Sequence, residues 1–76
     1  MARAKYYIKR QMEGKEIDEV ENFTRKDKAE RFLNKLFRGL KEAERHYPYW
    51  VRQGYFKSEF VGLCVNFKTE YWIEKY

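Results

Sequence analysis

The sequence predicts an α+β domain in two layers: a β-hairpin, one long amphipathic helix, and two or three further antiparallel strands. The order is ββαββ or ββαβββ, with the helix packed across one sheet face. Three observations carry this expectation. Residues 4 to 12 alternate, with Ala4, Tyr6 and Ile8 on one side and Lys5, Tyr7 and Lys9 on the other. Ala29, Phe32, Leu33, Leu36, Phe37, Leu40, Ala43 and Tyr47 follow the 3-4 spacing of a helix with one apolar stripe. Val61, Leu63, Val65 and Phe67 alternate with Phe60, Gly62, Cys64 and Asn66.

Each element follows in order. Glu13-Gly14-Lys15 reads as a turn, with Gly14 free to take a positive φ. Residues 16–23 return as the second strand of the hairpin. Ile17, Val20 and Phe23 share no period-2 face, which predicts a bulge or a solvent-washed edge. Thr24 is placed to cap the helix through its hydroxyl, and Asp27 suits the positive helix start. The helix is expected from about Arg25 to about His46, closed by Pro48. A helix of about 22 residues would be about 33 Å long and would cross a whole sheet. Tyr49–Gln53 reads as a strand broken at Gly54, and Lys57-Ser58-Glu59 as a separator. Phe60–Phe67 reads as the clearest later strand, Lys68-Thr69-Glu70 as a turn, and Tyr71–Lys75 as the last strand. The junction of Phe23-Thr24 with a charged helix bearing Ala29, Phe32 and Leu33 resembles the strand-to-helix junction of several small α/β modules. The arm-binding domains of phage-type integrases are among them. The likeness covers roughly 15 residues and consists of capping and packing signals.

Seventy-six residues suit a single domain, 1–76. Hydrophobic residues make up 43% of the chain and aromatics 20%, which favours folding over disorder. Large rings are one remedy for a short chain with a small core. No stretch approaches the apolar length of a membrane-spanning helix, and Met1-Ala2-Arg3-Ala4-Lys5 lacks the apolar core of a secretion signal. Cys64 is the single cysteine, so no internal disulfide forms and a cytoplasmic location is expected. One His and one Cys do not build a zinc site, and no cofactor or metal is expected.

Charge is segregated. The net charge is +5, but Glu13, Glu16, Asp18, Glu19 and Glu21 face Lys15 alone, whereas residues 25–45 hold eight bases and four acids. One helix covers one sheet face, so the second face meets solvent or a partner. The residues expected there are Lys5, Tyr7, Lys9, Trp50, Arg52, Phe56 and Trp72. Exposed rings interleaved with bases suit single-stranded nucleic acid, because bases stack on rings while Lys and Arg neutralise phosphates. The same aromatic set equally suits a second hydrophobic layer or a homodimer interface. Lys28, Arg31, Lys35, Arg38 and Arg45 form a secondary basic row on the helix, suited to a phosphate backbone or to solvent. Catalysis is not expected. Ser58 is the only serine and is read in a turn, His46 is placed at the helix end, and Cys64 reads as an apolar filler. The functional expectation is a non-enzymatic nucleic-acid-binding module. The alternative is a protein-interaction module, such as a phage or mobile-element inhibitor or accessory protein.

Overall fold

The computed structural model describes residues 5–76, so Ala4, expected in the first strand, lies outside them. Five strands and one helix form among these residues: β1 (Tyr6–Met12), β2 (Ile17–Phe23), α1 (Lys26–Glu42), β3 (His46–Arg52), β4 (Tyr55–Val61) and β5 (Asn66–Lys75). All neighbouring strands are antiparallel, in the order β2-β1-β5-β4-β3. The last strand in the chain is therefore central, and β1 and β4 flank it. Gly14 closes the first hairpin and Gly54 the β3–β4 hairpin, both at φ 77°, a conformation that glycine adopts without steric cost.

This corrects the expected α+β layout in proportion, boundaries and order. The molecule is a five-stranded sheet carrying one short helix, and strand outweighs helix by more than two to one. The helix has 17 residues, about 25 Å, shorter than expected, yet it packs across the sheet against both edge strands, β2 and β3, as well as β1 and β5. It starts without a side-chain cap: Arg25, not Thr24, holds the cap position, and its guanidinium pairs with Asp27 at 3.1 Å. It stops at Glu42, before Pro48 bears on it. The Ala43 N–H bonds back to the Gly39 and Leu40 carbonyls, and Arg45 turns the chain at φ 66°. Tyr47 thus leaves the apolar stripe and joins β3, where it is exposed.

The expected strand 60–67 is split. Val61 ends β4, residues 62–65 turn, and Asn66 begins β5, with the Gly62 N–H bonded to the Val65 carbonyl at 2.8 Å. Leu63 consequently stands 90% exposed and Cys64 is exposed beside it, not buried as a filler. Lys57-Ser58-Glu59 and Lys68-Thr69-Glu70, expected to separate strands, run through the middle of β4 and β5. The irregularity expected in the second strand falls at Val20. Ile8 opposes Glu21 while Lys9 opposes Glu19, so Val20 is the extra residue and packs on the core.

The core lies between α1 and one sheet face. Ile8, Ala29, Leu33 and Phe56 are fully buried. Tyr6, Val20, Phe23, Phe32, Leu36, Phe37, Leu40, Tyr71 and Ile73 close around them. Rings do much of the filling: Phe56 stacks on Tyr71 at 4.7 Å and meets Phe37 edge-on at 5.3 Å. Side-chain alternation then fixes what the other sheet face carries.

Candidate nucleic-acid interface

β1 sends Tyr6 and Ile8 toward α1, so Tyr7 and Lys9 face the opposite side. The central strand sends Tyr71 and Ile73 toward α1, which turns Trp72 and Glu74 outward. β4 buries Phe56, which turns Tyr55 and Lys57 outward. Cross-strand register aligns these residues. Lys9 opposes Trp72, Trp72 opposes Tyr55, and Tyr55 opposes Arg52. A single rung of the open face therefore reads Lys9–Trp72–Tyr55–Arg52, about 14 Å from first to last strand at three interstrand spacings. Two rings lie between two cations, and Glu19 on the edge strand β2 stands opposite Lys9 beyond them.

The rings and charges interact. Tyr55 and Trp72 stack with centroids 6.4 Å apart and 24° between planes. The Arg52 guanidinium sits 4.6 Å from the centre of the Tyr55 ring. Lys9 Nζ lies 5.3 Å from the Tyr7 ring centre and 6.0 Å from that of Tyr76, and Tyr7 meets Tyr76 edge-on at 5.1 Å. Lys5 extends this corner, its backbone N–H and C=O both bonded to Tyr76.

Glu19, which opposes Lys9 from β2, and Glu59, Glu70 and Glu74 share the face. Glu74 accepts from the Tyr76 hydroxyl at 2.8 Å and lies 4.0 Å from Lys9 Nζ. Glu70 accepts from the Tyr55 hydroxyl at 2.6 Å and lies 3.6 Å from Lys57 Nζ. Loss of solvent around its hydroxyl, then the bond to Glu70, push the Tyr55 pKa from 10.0 up to about 12. The Tyr76 hydroxyl is also raised, first by its bond to Glu74. Arg52, by contrast, has no carboxylate within ion-pair distance among the described residues.

The structure brings together Lys5, Tyr7, Lys9, Arg52 and Trp72 of the expected set. It does not bring Trp50 or Phe56 to them. Phe56 is fully buried under α1, and Trp50 stacks on Phe37 at 4.7 Å with 16° between planes. Both are corrected to the helix side; Tyr49, not Trp50, is the exposed-face member of its pair. Tyr55, Tyr76 and, on β3, Tyr47 and Tyr49 add rings to the open face and were absent from the expected set. The signal for Tyr55 was Gln53-Gly54: a two-residue turn sets Arg52 opposite Tyr55.

Comparison with family models, curated proteins and solved structures found no match. The site thus stands on its geometry. On α1, Lys28, Arg31, Lys35 and Arg38 are all exposed, whereas Arg45 lies in the turn beyond the helix and leaves their row. The row points away from the sheet, on the opposite side of the molecule from the rung. His46 belongs to β3, tilted against Phe60 at 5.0 Å, not to the helix end. Among the described residues, no three His, Cys, Asp or Glu side chains gather as a metal site. No helix among them is long and apolar enough to cross a membrane.

Proposed function

We propose that the protein is a small, non-enzymatic module that binds single-stranded nucleic acid on the open face of its sheet. The observation that carries this reading is the Lys9–Trp72–Tyr55–Arg52 rung. Stacked rings offer π-faces to bases without regard to sequence, and a cation at each end is placed for phosphate. Glu70 and Glu74 are bonded to tyrosine hydroxyls and paired with lysines, Glu19 accepts from the Asn22 side chain, and Arg52 at the far end of the rung has no carboxylate within ion-pair distance among the described residues. The duplex is a poorer fit, since its bases are already stacked and unavailable to rings.

The test is fluorescence anisotropy of a labelled single-stranded oligonucleotide with wild type and Trp72→Ala. Loss of one stacking partner is worth ~1–3 kcal/mol, so affinity falls roughly 5- to 150-fold while the fold survives. An unchanged affinity in the folded variant removes the rung from the account.

A different observation favours a second reading. Leu63, Val65 and Val61 form an exposed apolar hairpin tip, and Tyr47 and Tyr49 stand exposed on the β3 edge. These surfaces suit a protein partner, as in an inhibitor or accessory protein docking on a nucleic-acid-processing protein. Such an interface responds weakly to salt, whereas binding by phosphate neutralisation falls steeply with it.

A further inference from the structure

The basic row on α1 takes no part in the open face. Lys28, Arg31, Lys35 and Arg38 are all exposed. Their 3-4-3 spacing sets them on one stripe, opposite the buried Ala29 and Leu33. At 1.5 Å per residue the stripe runs about 15 Å.

This row works against its own helix. Side chains three and four residues apart on a helix are neighbours, so Lys28–Arg31, Arg31–Lys35 and Lys35–Arg38 are three like-charged pairs in succession. Such pairs repel, and an acid one turn away would relieve them. Lys28 and Lys35 have no acid three or four residues away in either direction. Asp27 stands four residues before Arg31, but Arg25 takes both its oxygens at 3.1 Å. Glu30 pairs with Lys26 at 4.0 Å instead. Glu42 follows Arg38 by four, yet no ion pair joins them among the described residues. None of the four cations makes an ion pair or lies over a ring among those residues.

A row that costs the helix stability, with no partner in the chain, suits a polyanion outside it. The stripe holds no aromatic residue, so it offers a base nothing to stack on and meets phosphate only. A duplex fits such a surface. Its bases are closed to rings, and it carries one charge per about 1.7 Å of axis, about nine over the length of the row. Each contact releases more counterion from a duplex than from a single strand, whereas a single strand gains on the open face the stacking that the row lacks.

We infer that the outer face of α1 is a second nucleic-acid site that holds a duplex by its phosphates alone, and that the module thereby bridges a duplex to the single strand on its open face. The duplex site stands on the row itself; the bridging rests on the open-face reading above. The sheet separates the two surfaces, so both are filled at once without sharing a residue.

The experiment uses the full chain, a labelled blunt-ended duplex and a labelled single strand of unrelated sequence. Arg31→Gln/Lys35→Gln keeps good helix formers and removes all three like-charged pairs, so it folds at least as stably as wild type. Lys15→Gln/Lys75→Gln removes the same charge from outside the row and the rung. In anisotropy at ~50 and ~200 mM salt, wild type binds the duplex. The helix variant flattens the log–log salt slope for duplex by about 1.8, two phosphate contacts at about 0.9 each, and the control variant does not. The helix variant matches the control in single-strand affinity, and Trp72→Ala keeps wild-type affinity for the duplex. Beads carrying the single strand retain the labelled duplex with wild type and lose it with the helix variant and with Trp72→Ala. Four results overturn the inference. They are no duplex binding at the lower salt, a helix variant with the control's slope, a helix variant less stable than wild type, and a duplex affinity that falls together with the single-strand affinity in Trp72→Ala, since one site would then serve both. Separate binding of both probes without retention on the beads overturns the bridging. If Trp72→Ala leaves single-strand affinity unchanged while the helix variant still loses the duplex, the open-face reading fails and the helix site stands.

Discussion

At the scale of single residues, Tyr55 joins stability to the candidate interface. Its hydroxyl donates to Glu70 and its ring carries both Arg52 and Trp72. Ionisation would place a phenolate against a carboxylate at 2.6 Å. The folded-state pKa is raised, so the stabilisation is complete below the unfolded value of 10.0 and is lost as pH climbs toward about 12. Denaturant unfolding across that window should show stability falling in wild type and falling less in Tyr55→Phe; parallel curves would sever the link. Tyr7 and Lys9 were legible from alternation, because a strand with Tyr6 and Ile8 inside must turn them outward. Trp50 and Phe56 were not. Each has a large aromatic neighbour in sequence, Tyr49 or Tyr55, and alternation says only that neighbours face apart. Which one faces the helix depends on where Phe37 stands, and that is set by tertiary packing.

At the scale of elements, the helix was legible and its length was not. Ala29, Leu33 and Phe37 fix the buried stripe, but the same 3-4 spacing ran on through Ala43 and Tyr47 by coincidence. What ends the helix is local backbone geometry at Ala43 and Arg45, which apolar spacing does not encode. The split of 60–67 escaped for a related reason. Val61, Leu63, Val65 and Phe67 alternate as a strand should, yet a hairpin tip tolerates apolar residues, and Gly62 was the overlooked break. Gly39 is exposed inside α1, with open space where a methyl group would stand. Gly39→Ala should therefore stabilise the protein by up to ~1 kcal/mol in chemical denaturation; a loss of stability would contradict this placement. The β3 edge makes a second case. The Val61 N–H bonds to the Arg45 carbonyl, so alternate residues from His46 turn their backbone groups outward, Pro48 among them. Proline there withholds the central donor of an edge that also bears exposed Tyr47 and Tyr49. Pro48→Val should make the protein associate more than wild type with rising concentration in analytical ultracentrifugation, whereas a mass equal to wild type's at every concentration would show that proline does not guard the edge.

At the scale of the whole molecule, the sheet separates two chemistries. The helix side holds the aromatic core, a cavity beside Leu40 at one end and the basic row on the outer helix surface. The open side holds rings between cations. Net charge alone did not distinguish these surfaces, and strand order decides the outcome: placing the last strand at the centre sets Trp72 between Lys9 and Tyr55. That order was not legible, because hairpin signals join sequence neighbours and say nothing about how β1 meets β5. The most direct test uses Trp50→Phe, which leaves Trp72 as the sole tryptophan reporter, titrated with single-stranded oligonucleotide at ~50 and ~200 mM salt. With Lys5, Lys9 and Arg52 as phosphate partners, the log–log salt slope is about −2, a weakening of roughly 15- to 20-fold over that range. Binding on the open face gives that slope together with quenching of Trp72. Absence of binding at the lower salt, or binding that leaves Trp72 fluorescence unchanged, would contradict it.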